Sequence, residues 1–101
     1  MSFRTSPSRV VDRGTGELVL TAAYQTLTPT SIIVDQIMVM PSTMMPVHEI
    51  LMKVSATSTD LPFKFKGTTL ILETFKGNIQ DFVFAGTAGD ILYYYWVRYD
   101  P

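Results

Sequence analysis

The fold is decided near the C-terminal end of the sequence by Asp90-Ile91-Leu92-Tyr93-Tyr94-Tyr95-Trp96-Val97-Arg98-Tyr99, which holds four of the five tyrosines and the only tryptophan. Aromatic and β-branched residues at this density favour an extended strand over a helix. Successive side chains of a strand point to opposite faces. One face therefore carries Ile91, Tyr93, Tyr95, Val97 and Tyr99, and the other carries Leu92, Tyr94, Trp96 and Arg98.

Neither face of this predicted strand is polar, so both faces must be shielded from solvent, by the core or by another subunit. We expect the face of Trp96 to fill the core, because the largest side chain gains most from full burial. The face of Tyr93 and Tyr95 is then expected to be partly open in a single subunit and covered in an assembly.

Shorter strand-like segments recur along the rest of the chain, separated by turn residues about every 8–12 positions, as in a sandwich or barrel. The predicted strands before the aromatic one are 17–22, 31–40, 47–55, 63–66, 68–75 and 79–84. The lysines of segment 63–66 indicate an edge strand. The sequence thus predicts an all-β fold, an antiparallel β-sandwich or jelly roll of six to eight strands, with under a tenth of its residues in helix.

Three details of this pattern make specific predictions. The polar pair Asp35-Gln36 interrupts an apolar strand and predicts a bulge or an exposed edge. The segment Asp12–Gly16 has the composition of a turn, because its two glycines adopt positive φ readily. The segments Lys76-Gly77-Asn78 and Gly86-Thr87-Ala88-Gly89 predict two successive hairpins.

Length and composition indicate a single domain with a partner. Residues 1–8 are polar and read as a flexible N-terminal arm in which only Phe3 could anchor, and residues 9–101 form the predicted β-sandwich. Charged residues make up 17% of the chain, against about 25% in typical domains. We therefore expect some apolar surface to be covered by a partner.

The same composition argues against several partners and locations. The net charge is -1 and no basic patch is present, so nucleic acid is not an expected partner. The N-terminus lacks the apolar core of a signal peptide. The longest apolar run, from Ile91 to Val97, is seven residues, whereas a transmembrane helix needs about 20. We expect no membrane contact.

The sequence offers few residues for catalysis, cofactors or metals. There is no cysteine, and His48 is the only histidine. His48 and the adjacent Glu49 would point to opposite faces of a strand and could not form a dyad. Neither Gly14-Thr15-Gly16 nor Gly86–Gly89 has the lysine of a phosphate-binding loop. We expect no catalytic residue, no cofactor and no metal site, and we interpret His48 as a hydrogen-bonded structural residue.

The methionines separate into two predicted groups. Met38, Met40 and Met52 lie on predicted strands and are expected in the core. Met44 and Met45 lie in a loop bounded by two prolines, where burial inside one small domain is difficult. Together with the aromatic strand and the arm, this loop completes the set of interface candidates: Phe3, Met44, Met45, Tyr93 and Tyr95.

Several features taken together also suggest a family. They are the arm 1–8, the opening stretch Ser8-Arg9-Val10-Val11-Asp12, the Gly14-Thr15-Gly16 turn, the Ala85–Asp90 hairpin and the C-terminal aromatic strand. In these the chain resembles the small all-β structural proteins of tailed bacteriophage virions, which include head-decoration and fibre-like jelly-roll modules. The resemblance implies a homo-oligomeric virion component without catalytic residues, assembled in the host cytoplasm.

Two classes of function follow from the sequence. The first is a non-enzymatic structural protein of a symmetric assembly, a capsid-decoration or fibre- or tail-associated component of a virion whose partners are its own copies and other virion proteins. The second is a carbohydrate- or ligand-binding β-sandwich module, because the tyrosines at 93–95 could stack on sugar rings. The aliphatic neighbours of these tyrosines favour packing over glycan binding.

Overall fold

The computed structural model describes residues 10–42, 48–66 and 68–99. The strands there are β1 (Val10–Val19), β2 (Gln25–Thr26), β3 (Ile33–Pro41), β4 (Ile50–Lys53), β5 (Phe63–Phe65), β6 (Leu70–Asn78), β7 (Val83–Ala85) and β8 (Ile91–Tyr99). A 3₁₀ helix, Ile79–Asp81, joins β6 to β7. The predicted arm 1–8 with Phe3, and the interface candidates Met44 and Met45, lie outside the described residues. Across the described ranges no helix has the length and apolar character needed to cross a bilayer.

The strands form two four-stranded antiparallel sheets, in the orders β1-β8-β3-β6 and β2-β7-β4-β5. Antiparallel ladders join β1 to β8, β2 to β7, β3 to β6 and β4 to β5, so the second half of the chain retraces the first half in reverse order. Ladders between β3 and β8 and between β4 and β7 complete the sheets. One long hairpin rolled into two sheets is the eight-stranded jelly roll. The predicted fold class is confirmed.

The core lies between the two sheets and takes alternate residues from each strand. In β8, Leu92 is fully buried and Trp96 is 8% exposed, whereas Tyr93 and Tyr95 on the opposite face are 42% and 37% exposed. The prediction that the Trp96 face fills the core is therefore confirmed. Buried residues of the second sheet complete the layer: Ile50, Met52, Phe65 and Phe84.

The turn predicted at Asp12–Gly16 is wrong, because β1 runs straight through this segment. Gly14 pairs with Trp96 and Gly16 pairs with Tyr94. A Cβ atom on Gly14 would lie 2.5 Å from Trp96 Nε1, and one on Gly16 would lie 2.5 Å from Tyr94 Cζ. The glycines stand here because the aromatic rings of β8 lie across the backbone of β1, and neither glycine has positive φ.

The two hairpins predicted at 76–78 and 86–89 are also wrong. Strand β6 continues to Asn78, and β6, β7 and β8 do not form consecutive ladders, because β7 lies in the other sheet. The fully buried Ile79 draws the chain into the core at this point. The side chain of Asn78 accepts a hydrogen bond from the N–H of Gln80 at 3.0 Å and so caps the 3₁₀ helix that makes the crossing.

The interruption predicted at Asp35-Gln36 is confirmed by a register shift between Val34 and Gln36 in the ladder of β3 with β6. Asp35 of β3 lies opposite three residues of β6, 74–76, so the extra residues are on β6. The buried carboxylate of Asp35 accepts hydrogen bonds from Tyr99 N at 2.7 Å, Lys76 N at 3.1 Å and Lys76 Nζ at 3.2 Å. Burial acts to raise the pKa of Asp35, but the bonds from Tyr99 and Lys76 and the charge of Lys76 outweigh it, so the pKa lies below its ordinary value of 3.8. One carboxylate therefore ties together β3, β6 and β8.

The remaining predicted strands match observed ones only in part. The predicted strand 17–22 shares residues 17–19 with β1, and half of the predicted strand 79–84 is the 3₁₀ helix Ile79–Asp81. Strand β4 spans Ile50–Lys53, shorter than the predicted 47–55, and His48 and Glu49 precede it. Strand β5 lies at the edge of its sheet, as the lysines around it predicted.

Candidate interaction surface

The outward-pointing residues of β1, β8, β3 and β6 form a surface that we call the outer face. Its side chains alternate with the core residues of the same strands, so the buried Ile37 and Val39 of β3 leave Met38 and Met40 outside. Met40 is 42% exposed and Ile71 is 51% exposed, close to the exposure of the two tyrosines. Single exposed apolar residues are ordinary, but a contiguous group of them usually marks a contact site.

The strand register arranges the outer face in four rows that cross the sheet. They are Val19-Ile91, Glu17-Tyr93-Met40, Thr15-Tyr95-Met38-Ile71 and Arg13-Val97-Gln36-Glu73, each written from β1 toward β6. Neighbouring strands lie about 4.8 Å apart, so the side chains within a row are neighbours. The two middle rows therefore place tyrosines of β8 beside methionines of β3, in one apolar patch.

The last of these rows ends in opposite charges. Arg13 lies on β1 and Glu73 lies on β6, three strand spacings away, or about 14 Å. Gln36 Nε2 donates a hydrogen bond to Glu73 Oε1 at 2.8 Å, which holds the carboxylate on the outer face. Asp12, beside Arg13 in the chain, is engaged by Arg98 through an ion pair of 2.9 Å. Within one subunit Arg13 and Glu73 are too far apart to pair.

The structure brings together only some of the residues that the sequence singled out. Tyr93 and Tyr95 lie on the outer face and are partly open, as predicted, and their role as interface residues stays a prediction. Met52 is buried, as predicted, but the prediction of core positions for Met38 and Met40 is wrong. The register of β3 places these two methionines beside Tyr95 and Tyr93 on the outer face.

A second polar cluster joins the segment before β4 to the turn before β8. His48 Nδ1 lies 2.6 Å from Asp90 Oδ2, and the His48 side chain is about one-third exposed. The N–H of Asp90 donates to the carbonyl of Thr87 at 3.1 Å, and Gly89 has a φ of 95°, which closes the turn. The pair thus agrees with the interpretation of His48 as a hydrogen-bonded structural residue.

A shallow pocket of about 140 Å³ lies beside the loop between β4 and β5, where Leu61 is 94% exposed. Its lining is Met52, Lys53, Val54, Ser58, Asp60, Leu61 and Phe63. Among the described residues no three histidine, aspartate or glutamate side chains cluster closely enough to hold a metal ion. Of the described residues, those of the outer face include Tyr93, Tyr95, Met40 and Ile71, each more than a third exposed.

No protein-family model matches this sequence, and neither a curated protein nor a solved structure is significantly similar to it. Function is therefore inferred from the fold and the surface of the chain itself.

Proposed function

We propose that this chain is a non-enzymatic structural protein of a symmetric assembly, a capsid-decoration or fibre- or tail-associated component of a virion. The observation that carries the proposal is the outer face, where a patch of tyrosines and methionines on the described strands is partly exposed. Jelly rolls build viral capsids as well as lectin domains. The choice of a virion rests on the arm 1–8, the opening stretch Ser8–Asp12 and the C-terminal aromatic strand, in which the sequence resembles phage virion proteins.

The chemistry of the outer face suits a contact between proteins. Tyrosine is enriched at interfaces because it combines a large apolar ring with a polar tip. Methionine is unbranched and adapts to the shape of a facing surface. The charged Arg13, Glu17 and Glu73 lie on β1 and β6, at the two edges of the sheet, as in the polar rim of an interface.

The first test is the mass of the protein in solution, by light scattering after size exclusion at several concentrations. The wild type is expected at a multiple of 11.3 kDa. The variant Tyr93→Ser/Tyr95→Ser is expected at 11.3 kDa with the circular dichroism spectrum of the wild type, because both side chains point away from the core.

The matched control is Leu61→Ser, which removes an apolar side chain that is 94% exposed elsewhere on the surface. This variant is expected to keep the mass of the wild type. A wild type that stays at 11.3 kDa at every concentration contradicts the proposal, as does an assembly that survives Tyr93→Ser/Tyr95→Ser unchanged.

A second candidate function has one observation in its favour. Tyr93 lies beside Glu17 and Tyr95 lies beside Thr15, so each ring has a hydrogen-bonding side chain next to it. An aromatic ring flanked by such groups is how proteins hold sugars, with the ring under the apolar face and polar groups at the hydroxyls. A monomeric wild type that binds glycans on an array, and loses binding on Tyr93→Ser, would favour this module.

A further inference from the structure

We infer that the partner of the outer face is a second copy of the chain, related by a two-fold axis that lies between the two sheets and runs along the strands. This inference rests on the proposed assembly role and specifies one contact of the assembly, that between the outer faces of two copies. Such a rotation keeps each row at its height along the strands and reverses the order of the strands. It therefore lays β8 over the partner's β3, and β1 over the partner's β6.

The apolar rows fit this rotation because each has a tyrosine on one side of the axis and a methionine on the other. Tyr93 then faces the partner's Met40, and Tyr95 faces the partner's Met38. Contacts between methionine sulfur and aromatic rings are favourable. Because the contact is isologous, each pairing occurs twice.

The charged row fits the same rotation. Arg13 on β1 is placed over the partner's Glu73, and Glu73 over the partner's Arg13. Packed sheets lie about 10 Å apart, a gap that an arginine and a glutamate reach across together. Charges that are about 14 Å apart in one subunit thus become two ion pairs at the rim of the contact.

The alternative two-fold axis, perpendicular to the strands, does not make these pairs. It lays β1 over the partner's β1 and β6 over the partner's β6, and it reverses the order of the rows. Arg13 would then face the row of Val19 at the other end of the patch, and Glu73 would stay on the opposite edge. The charges therefore select the axis along the strands.

The test is a charge swap, with the dimer dissociation constant measured by sedimentation at low and high salt. Arg13→Glu and Glu73→Arg are each expected to raise the dissociation constant about tenfold or more, because each creates two like-charge contacts. The double variant Arg13→Glu/Glu73→Arg is expected within about threefold of the wild type, because both pairs are restored with reversed polarity. Added salt should weaken the wild type and the double variant but strengthen the single variants.

The matched controls make the same change of net charge away from the outer face. The controls are Lys64→Glu on β5 and Asp81→Arg in the 3₁₀ helix, which alter exposed residues outside the sheet of the outer face. Each is expected to leave the dimer dissociation constant within about threefold of the wild-type value. Circular dichroism and melting curves verify that every variant folds.

Each contrary result has its own meaning. A wild-type dimer that is indifferent to both single reversals, or a double variant no tighter than the singles, overturns the two-fold arrangement and leaves the assembly role standing. A wild-type trimer overturns the arrangement in the same way. A wild-type monomer at every concentration overturns the assembly role together with the arrangement.

Discussion

The close approach of Trp96 to β1 makes Gly14→Ala a sensitive probe of the fold. The added Cβ would lie 2.5, 2.6 and 2.8 Å from Nε1, Cε2 and Cζ2 of Trp96, where ordinary contact begins near 3.4 Å, so the indole would have to withdraw by about 1 Å. Trp96 is only 8% exposed and has little room to move. Overpacking of this kind costs about 1–3 kcal/mol.

A smaller effect acts in the opposite direction. Alanine loses less conformational freedom on folding than glycine, which favours the variant by about 0.5–1 kcal/mol. We therefore expect Gly14→Ala to lower the free energy of unfolding by about 1–2 kcal/mol. The assay is chemical denaturation at a fixed protein concentration, because assembly would add to the measured stability.

A double-mutant cycle isolates the cause. Trp96→Leu removes the edge of the indole, so Gly14→Ala is expected to be neutral or stabilising in that background. The control is Gly89→Ala, where φ is 95° and an added Cβ meets nothing within 4 Å. Its cost is backbone strain of about 1 kcal/mol and should be the same in both backgrounds. A Gly14→Ala variant that equals or exceeds the wild type in stability would refute the reasoning.

Three further outcomes are expected from the core and from the buried carboxylate. Trp96→Ala should cost about 3–5 kcal/mol in chemical denaturation, while Tyr95→Ala should change the mass in light scattering more than the stability; the reverse pattern would mean that the faces of β8 are misassigned. Asp35→Asn should lower the free energy of unfolding by about 2–3 kcal/mol, because it weakens three hydrogen bonds while the half-exposed Lys76 is hydrated again. The control Asp12→Asn, whose ion pair with Arg98 is exposed, should lower it by less than about 1 kcal/mol. The folded state lowers the pKa of Asp35, so ionised Asp35 stabilises the fold fully above its ordinary pKa of 3.8. This stabilisation is lost as the pH falls from 3.8 through the lower pKa of the folded state. Acid titration followed by circular dichroism should show the loss in the wild type and a shallower loss in Asp35→Asn.

The alternation of residues in β8 was enough to predict the core side of the first sheet. A strand exposes its side chains to two faces in turn, so the position of Trp96 fixes Leu92 and Tyr94 on the same side. The exposed partners Tyr93 and Tyr95 follow from the same rule. The irregular pairing at Asp35 could likewise be predicted, because a charged residue in the middle of an apolar strand disturbs regular pairing. That the extra residues lie on β6 could not be predicted.

The methionines of the outer face could not be predicted in the same way. Strand β3 is apolar on both sides, so its composition does not say which side is the core. A second difficulty is that Val34 and Asp35 are consecutive and both buried, which interrupts the alternation just before Met38 and Met40. Only the register with β8 determines the side on which these methionines lie.

The errors in the turn predictions share a physical origin. The composition around Gly14 and Gly16 predicts residues that adopt positive φ, whereas in the structure these glycines make space for aromatic rings that lie far away in the sequence. The segment 76–78 has the composition of a turn, yet β6 extends through it because Asp35, on another strand, binds Lys76. Local composition does not reveal contacts of this kind.

The pairing of Val10 with Tyr99 affects how the chain can fold while it is being synthesised on the ribosome. Strand β8 is an inner strand, with β1 on one side and β3 on the other. Until it has been synthesised, β1 has no neighbour and the inward edge of β3 is open. Synthesis proceeds at about 5–20 residues per second, so seconds pass between the synthesis of β1 and that of β8. The nascent chain therefore cannot acquire its fold piece by piece from the N-terminus, and open strand edges of this kind are where chaperones would act.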